Sequence, residues 1–328
     1  MSEILKNPYK LSILIGAIFI SGMLLGSFGY LGYLKANAQN DPQPQTYNTE
    51  LPELIEEERE TSDDADRFNI LLMGHGGAGH SGGGLMDAIM VVSVNTTDKK
   101  ASIISIPRDY WFSGHKLNAD PSIRDAVTAI TGLFITNQIT IDFNNFVKMI
   151  DNLNGITVDA KKAYVDNFYP VRGKENDLCG FSNEKIVEVH QKYTGFELEK
   201  QFLCRYETIS YGVGLNSMNG EEALKYVRSR HGDGDFGRSM RQFEVLKAIL
   251  QKGNISVVSK ALSFVKTDLN NDSLSLLITQ IGNPLEYSIS YLGLSDQNVL
   301  TNSKSSQGAY ILIPKSGVSI KDYIKNSI

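Results

Sequence analysis

Apolar residues in this chain come first as one unbroken block, then as short continuous runs, then at helical spacing. The block, Leu11 to Leu34, carries no charge over 24 residues. That is enough helix to cross a hydrocarbon core of roughly 30 Å. Lys6 and Lys10 precede it and an acidic stretch follows, so residues 1–10 are expected in the cytoplasm and the remainder outside. Ala36-Asn37-Ala38 has the look of a leader cleavage site. A leader's apolar core is typically about 7–15 residues, and this block is longer, so an uncleaved membrane helix over 11–34 is the preferred reading. Residues 35–66 hold Pro42, Pro44 and Pro52 and an acidic run from Glu56 to Asp66. Such a composition buries little apolar surface and predicts a disordered tether.

From Arg67 onward the pattern changes. Phe68–Met73, Ala88–Val94 and Ala101–Ile106 are short apolar runs of strand type, the last two joined by the polar connection Asn95–Lys100. Apolar residues then recur at helical spacing over Ile123–Leu133 and over Asn145–Leu153, the latter stopped by Asn154-Gly155. Ile156–Val158 predicts a further strand. Gly237–Gln251 repeats the helical pattern through Met240, Phe243, Leu246, Ile249 and Leu250. Core-like runs persist at Ala261–Val265, Leu274–Ile281 and Ala309–Ile313. The expected fold class is α/β: a single extracytoplasmic domain over 67–328, with a central mixed sheet flanked by helices, preceded by one transmembrane helix. Residues 164–219 are rich in aromatics and charges without a clean period, and predict a loop-rich insertion that rims the site.

Charge sharpens this picture. The formal net charge is -5, yet four of the ten arginines fall in Tyr226–Gln242: Arg228, Arg230, Arg238 and Arg241. Arg108 adds a fifth in Ile106-Pro-Arg-Asp109. Guanidinium forks grip phosphate oxygens through paired hydrogen bonds. A local cationic cluster on an acidic chain points to one anionic ligand and away from nucleic acid. If Tyr226–Arg230 is extended, Arg228 and Arg230 share a face. If Phe236–Gln242 opens a helix, Arg238, Arg241 and Gln242 share one too. Cations in a first helical turn oppose the dipole unless an anion sits there. Asp233, Asp235 and Glu244 are the carboxylates that could pair with this stretch, and Asp109 with Arg108. Pro107 marks the end of a strand, where ligands of open α/β sheets sit.

Asp87 opens the second strand behind a glycine-rich loop, Gly74–Gly84. A carboxylate among arginines suits Mg2+, or Mn2+ as the alternative ion, bridging phosphate oxygens. The loop fits G-x-G-x-x-G, but a strand pattern follows where a dinucleotide site needs a helix. His75 and His80 are candidate ligands, although a structural role is the commoner fate of such histidines. There is no G-x-S-x-G or H-E-x-x-H, which leaves charge stabilisation of a transferring phosphoryl group as the chemistry. Cys179 and Cys204 are the two cysteines. In an exported domain they predict a disulfide, closing a loop of about 26 residues and worth roughly 3 kcal/mol.

These motifs resemble the LytR-CpsA-Psr family of cell-wall glycopolymer ligases, in a match spanning roughly Arg67 to Gly253. The carriers are Asp87-Ala-Ile-Met, Ser105-Ile-Pro-Arg-Asp109, Asn219-Gly-Glu-Glu-Ala-Leu-Lys-Tyr-Val-Arg-Ser-Arg230 and Asp235-Phe-Gly-Arg-Ser-Met-Arg-Gln242. The resemblance implies Mg2+-dependent transfer of a phosphoglycan from an undecaprenyl-pyrophosphate carrier to a peptidoglycan hydroxyl. Arg108, Arg228, Arg230 and Arg238, joined by Arg241, would hold the pyrophosphate, with Gln242 beside them. Asp87 would bind the metal, with His80 as a second candidate ligand. Asp235 would orient an arginine or act as base. The polyprenyl tail would lie in an apolar groove between sheet and helices. Two places depart from the family: Gly76 stands where a second metal-binding Asp is usual, and Leu85 where an Arg is usual. Two other functions fit the same residues: a pyrophosphatase acting on lipid-linked glycan, and a non-catalytic binder of polyprenyl phosphate or wall polymer.

Overall fold

The computed structural model describes residues 67–80, 82–252 and 260–328. The predicted cytoplasmic tail, membrane segment 11–34 and acidic tether 35–66 lie outside the described residues. Among the described residues no helix is long and apolar enough to cross a membrane.

The principal elements of the first half are β1 (Arg67–His75), β2 (Met86–Asn95), β3 (Lys100–Ser105), α1 (Ile123–Thr131), β4 (Asn137–Asp142), α2 (Phe143–Asn152), β5 (Ile156–Ala160) and β6 (Tyr164–Pro170). Those of the second are α3 (Asn183–Lys192), β7 (Tyr206–Tyr211), β8 (Gly214–Met218), α4 (Gly220–Arg228), α5 (Gly234–Gln251), β9 (Lys266–Thr267), α6 (Asn271–Ile281), β10 (Ser288–Gly293), β11 (Leu300–Lys304), β12 (Tyr310–Pro314) and α7 (Ile320–Lys325).

Six strands form the central sheet in the order β9-β4-β1-β2-β3-β10. The hairpins β1–β2 and β2–β3 are antiparallel, whereas β4 joins β1 and β10 joins β3 in parallel. The sheet is therefore mixed, as the run lengths and the helical patterns between them predict.

Alternation along the strands sends side chains to two unlike faces. Leu71, Met73, Ile89, Val91 and Ile104 are buried against Ala126, Val127 and Ile130 of α1 and against Ile320 and Ile324 of α7. Their neighbours Ile70, Leu72, Met90 and Val92 face the other way, onto a cavity of about 1180 Å3. Its far wall is helical, with Phe146 of α2, Leu246 and Ile249 of α5, and Leu277 and Ile278 of α6.

A second core holds that wall in place. Ile150, Val158, Met218, Tyr226 and Ala248 join α2, α4 and α5 to the β5–β8 pair. At the start of α4, a Cβ on Gly220 would lie 2.3 Å from the Val147 carbonyl oxygen, so glycine permits this close approach to α2. Asn219 and Glu222 cap the helix reciprocally.

Residues 164–219 are more regular than their sequence predicts. β6 pairs antiparallel with β7, and α3 lies between them in sequence. The register of this pair shifts between Asp166 and Tyr169, which breaks the two-residue period that would have revealed the strands. Cys179 and Cys204 are joined as a disulfide, with Cα atoms 5.6 Å apart.

Candidate active site

The end of β3 sets the first arginine. Ile106 N–H donates to the Ile89 carbonyl (3.0 Å), and Pro107 then withdraws the next donor, so the chain leaves the sheet with Arg108. Arg108 Nη1 donates to Asp87 Oδ1 at 2.5 Å, and its Nε lies 3.7 Å from Asp109 Oδ2. Asp109 is further held by Lys116 Nζ at 2.5 Å. Asp87 stands near the start of β2, opposite Arg108, because β2 and β3 form a tight antiparallel hairpin.

The extended condition set for Tyr226–Arg230 is not met at Arg228, which is the last residue of α4 and not part of an extended segment. The capping box and the buried Ala223, Leu224 and Tyr226 carry the helix through to it. Ser229 then turns extended, which lets Arg228 and Arg230 reach the same cavity from a helix end and a loop. The Arg228 guanidinium lies over the Phe143 ring at 4.4 Å and donates to Tyr169 Oη at 3.3 Å. Arg230 grips Asp235 with two nitrogens, Nε to Oδ1 at 2.8 Å and Nη2 to Oδ2 at 3.1 Å.

Arg238, one turn into α5, is more enclosed than Arg108 or Arg230, with its side chain 8% exposed against 23% and 43%. Its Nη2 lies 3.4 Å from Asp235 Oδ1 and 3.5 Å from the Asp87 carbonyl oxygen. Burial pulls its pKa down to about 10; Asp235 opposes the fall, and the charges of Arg230 and Arg108 add to it. The group stays cationic at neutral pH. Arg108 Nε and Arg238 Nε are both buried without a hydrogen-bond partner. Such orphaned donors cost about 1–3 kcal/mol each, and an incoming anion is the acceptor that would relieve them.

Arg241 departs from its expected place. Its Nε donates to the Tyr226 carbonyl at 2.8 Å, Nη1 to Asp233 Oδ2 at 2.5 Å and Nη2 to the Ser229 carbonyl. The guanidinium stacks on Tyr164 at 3.8 Å. With its donors spent on two backbone carbonyls and on Asp233 it bolts the α4–α5 turn together and does not line the cavity. Gln242, on the next position, does line it, its Nε2 3.4 Å from the Val227 carbonyl.

The glycine loop closes on itself: Gly77 N–H donates to the Gly83 carbonyl and Gly83 N–H to the His80 carbonyl, both at 2.9 Å. A Cβ at Gly83 would meet Gly77 O at 2.0 Å. A strand follows, so the dinucleotide reading is excluded by structure as well as by pattern. His75 bonds the Gly83 carbonyl through Nδ1 at 2.9 Å. His80 packs edge-on against Phe143, with centroids 5.2 Å apart. Among the described residues, the one cluster of three potential His, Cys, Asp or Glu ligands is Asp177 with the disulfide-bonded Cys179 and Cys204. Neither Asp87 nor His80 belongs to that cluster. A lone carboxylate fits a Mg2+ ion that takes its other ligands from substrate phosphate and water.

Arg108, Arg228, Arg230, Arg238, Asp87 and Gln242 thus gather at one mouth of the large cavity. Tyr169 and Phe143, which seat Arg228, were not expected from sequence; their only signal was aromatic content. The Tyr169 hydroxyl is pushed up by burial, with the Arg228 charge opposing.

An apolar cavity ending in convergent guanidiniums defines an α/β domain built for a ligand with a long apolar body and a polyanionic head. The chain belongs to the LytR_cpsA_psr family, whose model matches residues 30–316. It is 28% identical over 280 residues to the polyisoprenyl-teichoic acid–peptidoglycan teichoic acid transferase TagU of Bacillus subtilis, covering 83% of this chain and 80% of that one. The protein of the same name from Bacillus licheniformis is 30% identical over 222 residues, 65% of this chain and 61% of that one. Among solved structures, B. subtilis TagV matches with a TM-score of 0.54 at 23% identity, over 80% of this chain and 95% of that chain. The LytR-CPS2A-psr family protein YwtF (TagT) with bound octaprenyl pyrophosphate lipid matches at 0.52 and 22% identity, over 81% and 92%.

Proposed function

We propose that this protein is a membrane-anchored phosphotransferase that moves an anionic glycopolymer from an undecaprenyl-pyrophosphate carrier to peptidoglycan. The observation that carries this reading is the junction of an apolar cavity of about 1180 Å3 with four arginines, Arg108, Arg228, Arg230 and Arg238. The cavity matches a polyprenyl chain and the arginines match a pyrophosphate. The relatives named as teichoic acid transferases, and the TagT complex with octaprenyl pyrophosphate, support the same assignment.

In this reading the four guanidiniums bind the pyrophosphate oxygens and stabilise the charge that shifts among them during transfer. Asp235 fixes the Arg230 fork through its two contacts, so its role is to orient. Gln242 adds a neutral donor beside Arg238. Asp87 would hold Mg2+ against the phosphates, and the ion when bound would neutralise developing charge. Phosphoryl transfer through a loose transition state asks for positioning and cations more than for a protein nucleophile. The predicted helix at 11–34 would keep the domain at the outer membrane surface, where the lipid carrier resides.

The test is to give the purified protein a lipid-linked glycan with and without peptidoglycan. Product joined to peptidoglycan is expected. Free glycan in both reactions would instead mark a pyrophosphatase, and binding without turnover a carrier protein.

A further inference from the structure

Beside the arginine mouth lies a second, smaller pocket of about 570 Å3. We propose that it seats the acceptor glycan and that Tyr310 is the platform for one of its sugar rings. This rests on the transferase reading above.

The argument starts from shared walls. Asp87, Arg108, Arg230, Arg238 and Gln242 line both the large cavity and this pocket. A phosphorus held by those arginines is therefore open to approach from either side. Displacement at phosphorus needs the attacking and departing oxygens roughly in line. The large cavity takes the departing polyprenyl side, and the smaller pocket is the remaining approach.

Its chemistry fits a hydroxyl-bearing ring and not a lipid. Asp109 and Asp235 offer acceptors for hydroxyl groups, and Phe236, Pro107 and Tyr310 offer apolar faces. With the pyrophosphate on the shared arginines, the carboxylates Asp109 and Asp235 are the charged groups this pocket still offers, which favours an uncharged guest. Tyr310 is 47% exposed, and its hydroxyl donates to Asn302 Oδ1 at 2.7 Å, so its ring is held. Burial and then the nearby charges of Asp296, Asp109 and Asp235 push that hydroxyl's pKa up.

The C-terminal hairpin β11–β12 exists in this place for a structural reason. Leu312 N–H donates to the Asp109 carbonyl at 3.0 Å, and Tyr110 bridges to Leu312 in parallel. The strand bearing Tyr310 is thus tied to the segment just after Arg108. An element more than 200 residues downstream in sequence completes the pocket.

The step balances without a further reactant. The acceptor hydroxyl oxygen forms a bond to the glycan-proximal phosphorus, and the bond from that phosphorus to the bridging oxygen breaks. The bridging oxygen keeps the electron pair and leaves as polyprenyl monophosphate, which takes up the hydroxyl proton.

Full-length protein in detergent would be given an octaprenyl-pyrophosphate disaccharide as donor and chitotetraose, a soluble N-acetylglucosamine tetramer, as acceptor. Tyr310→Ala is expected to raise the KM for chitotetraose about tenfold, the scale of one aromatic contact. The Kd for octaprenyl pyrophosphate should not move. Tyr310→Phe keeps the ring and should restore a KM within about threefold of wild type, on the same scale. An unchanged acceptor KM in Tyr310→Ala, with lipid binding intact, overturns the pocket assignment and leaves the transferase reading standing. An equal loss of lipid affinity shows a merely structural role and also overturns it. Wild-type protein that neither binds octaprenyl pyrophosphate nor transfers glycan takes both readings down together.

Discussion

The two faces of the central sheet are made from the same strands and nearly the same residue types, yet they serve opposite ends. On one face Leu71, Val91 and Ile104 are fully buried under α1 and α7. On the other, one position away, Ile70, Leu72 and Val92 look onto open volume. A closed core gains roughly 1.5–3 kcal/mol for each large aliphatic side chain it covers. The cavity face forgoes part of that stabilisation, and the β5–β8 core under α2, α4 and α5 keeps its helical wall standing. The contrast teaches that apolar alternation in a strand reports what a face dislikes and is silent on whether protein or ligand covers it.

The sharpest way to break this comparison is paired truncation. Leu71→Ala should cost about 2–5 kcal/mol, as fully packed core positions do. Leu72→Ala, on the cavity side, should cost well under half of that by urea denaturation. Equal losses would mean the cavity face is packed as tightly as the core. Arg108→Ala tests the cavity's charged end and should lower transfer by roughly 10²–10³, the scale of a lost oriented donor. Its circular dichroism should match wild type; a rate close to wild type would remove Arg108 from the site. Ligand should fill only one face. Octaprenyl pyrophosphate at 100 times its Kd should stabilise the protein by about 2.7 kcal/mol, and Leu72→Trp should abolish that gain by occupying the space.

A smaller effect concerns the insertion beside the mouth. Burial works to raise the Asp166 pKa, but the Ser229 hydroxyl, the Phe168 N–H and the nearby His231 outweigh it and hold the carboxyl below its usual value. A carboxyl lowered in the folded state stabilises above its unfolded pKa, and that contribution is lost as pH falls through the folded value. Asp166→Asn should therefore be less stable than wild type at neutral pH, by about 1–3 kcal/mol. The difference should shrink below about pH 3.9. A gap that persists in acid would place the loss in packing and not in charge.

Much of the sheet could be read from sequence. The runs at Phe68–Met73 and Ala88–Val94 sit inside β1 and β2, and Ala101–Ile106 covers β3 from its second residue to one past its end, because buried strands leave continuous apolar stretches. The helices at Ile123 and Asn145 also fell within a few residues of α1 and α2. The arginine grouping was legible as chemistry but not as geometry. Arg238 and Arg241 stand three residues apart, close to one helical turn, and nothing local says which faces the cavity. Tyr164, from a distant strand, decides it by stacking under Arg241. Whether Arg228 is helical or extended stays open in the sequence because the helix of Gly220 ends at Ser229 without glycine or proline to mark the stop. The second pocket was invisible because Tyr310 reaches it through the C-terminal hairpin.

The arginine mouth has a consequence for what it ignores. Asp87, Asp109 and Asp235 already sit against three of its guanidiniums, and the chain as a whole is acidic. The far field of the opening is therefore muted, and a passing polyanion feels little pull beyond a Debye length of about 8 Å. Only a guest that also buries a hydrocarbon body in the adjoining cavity stays long enough to exchange those internal partners for its own oxygens. Selectivity is thereby exercised at close range, by occupancy, and a crowd of loose phosphates outside does not jam the gate.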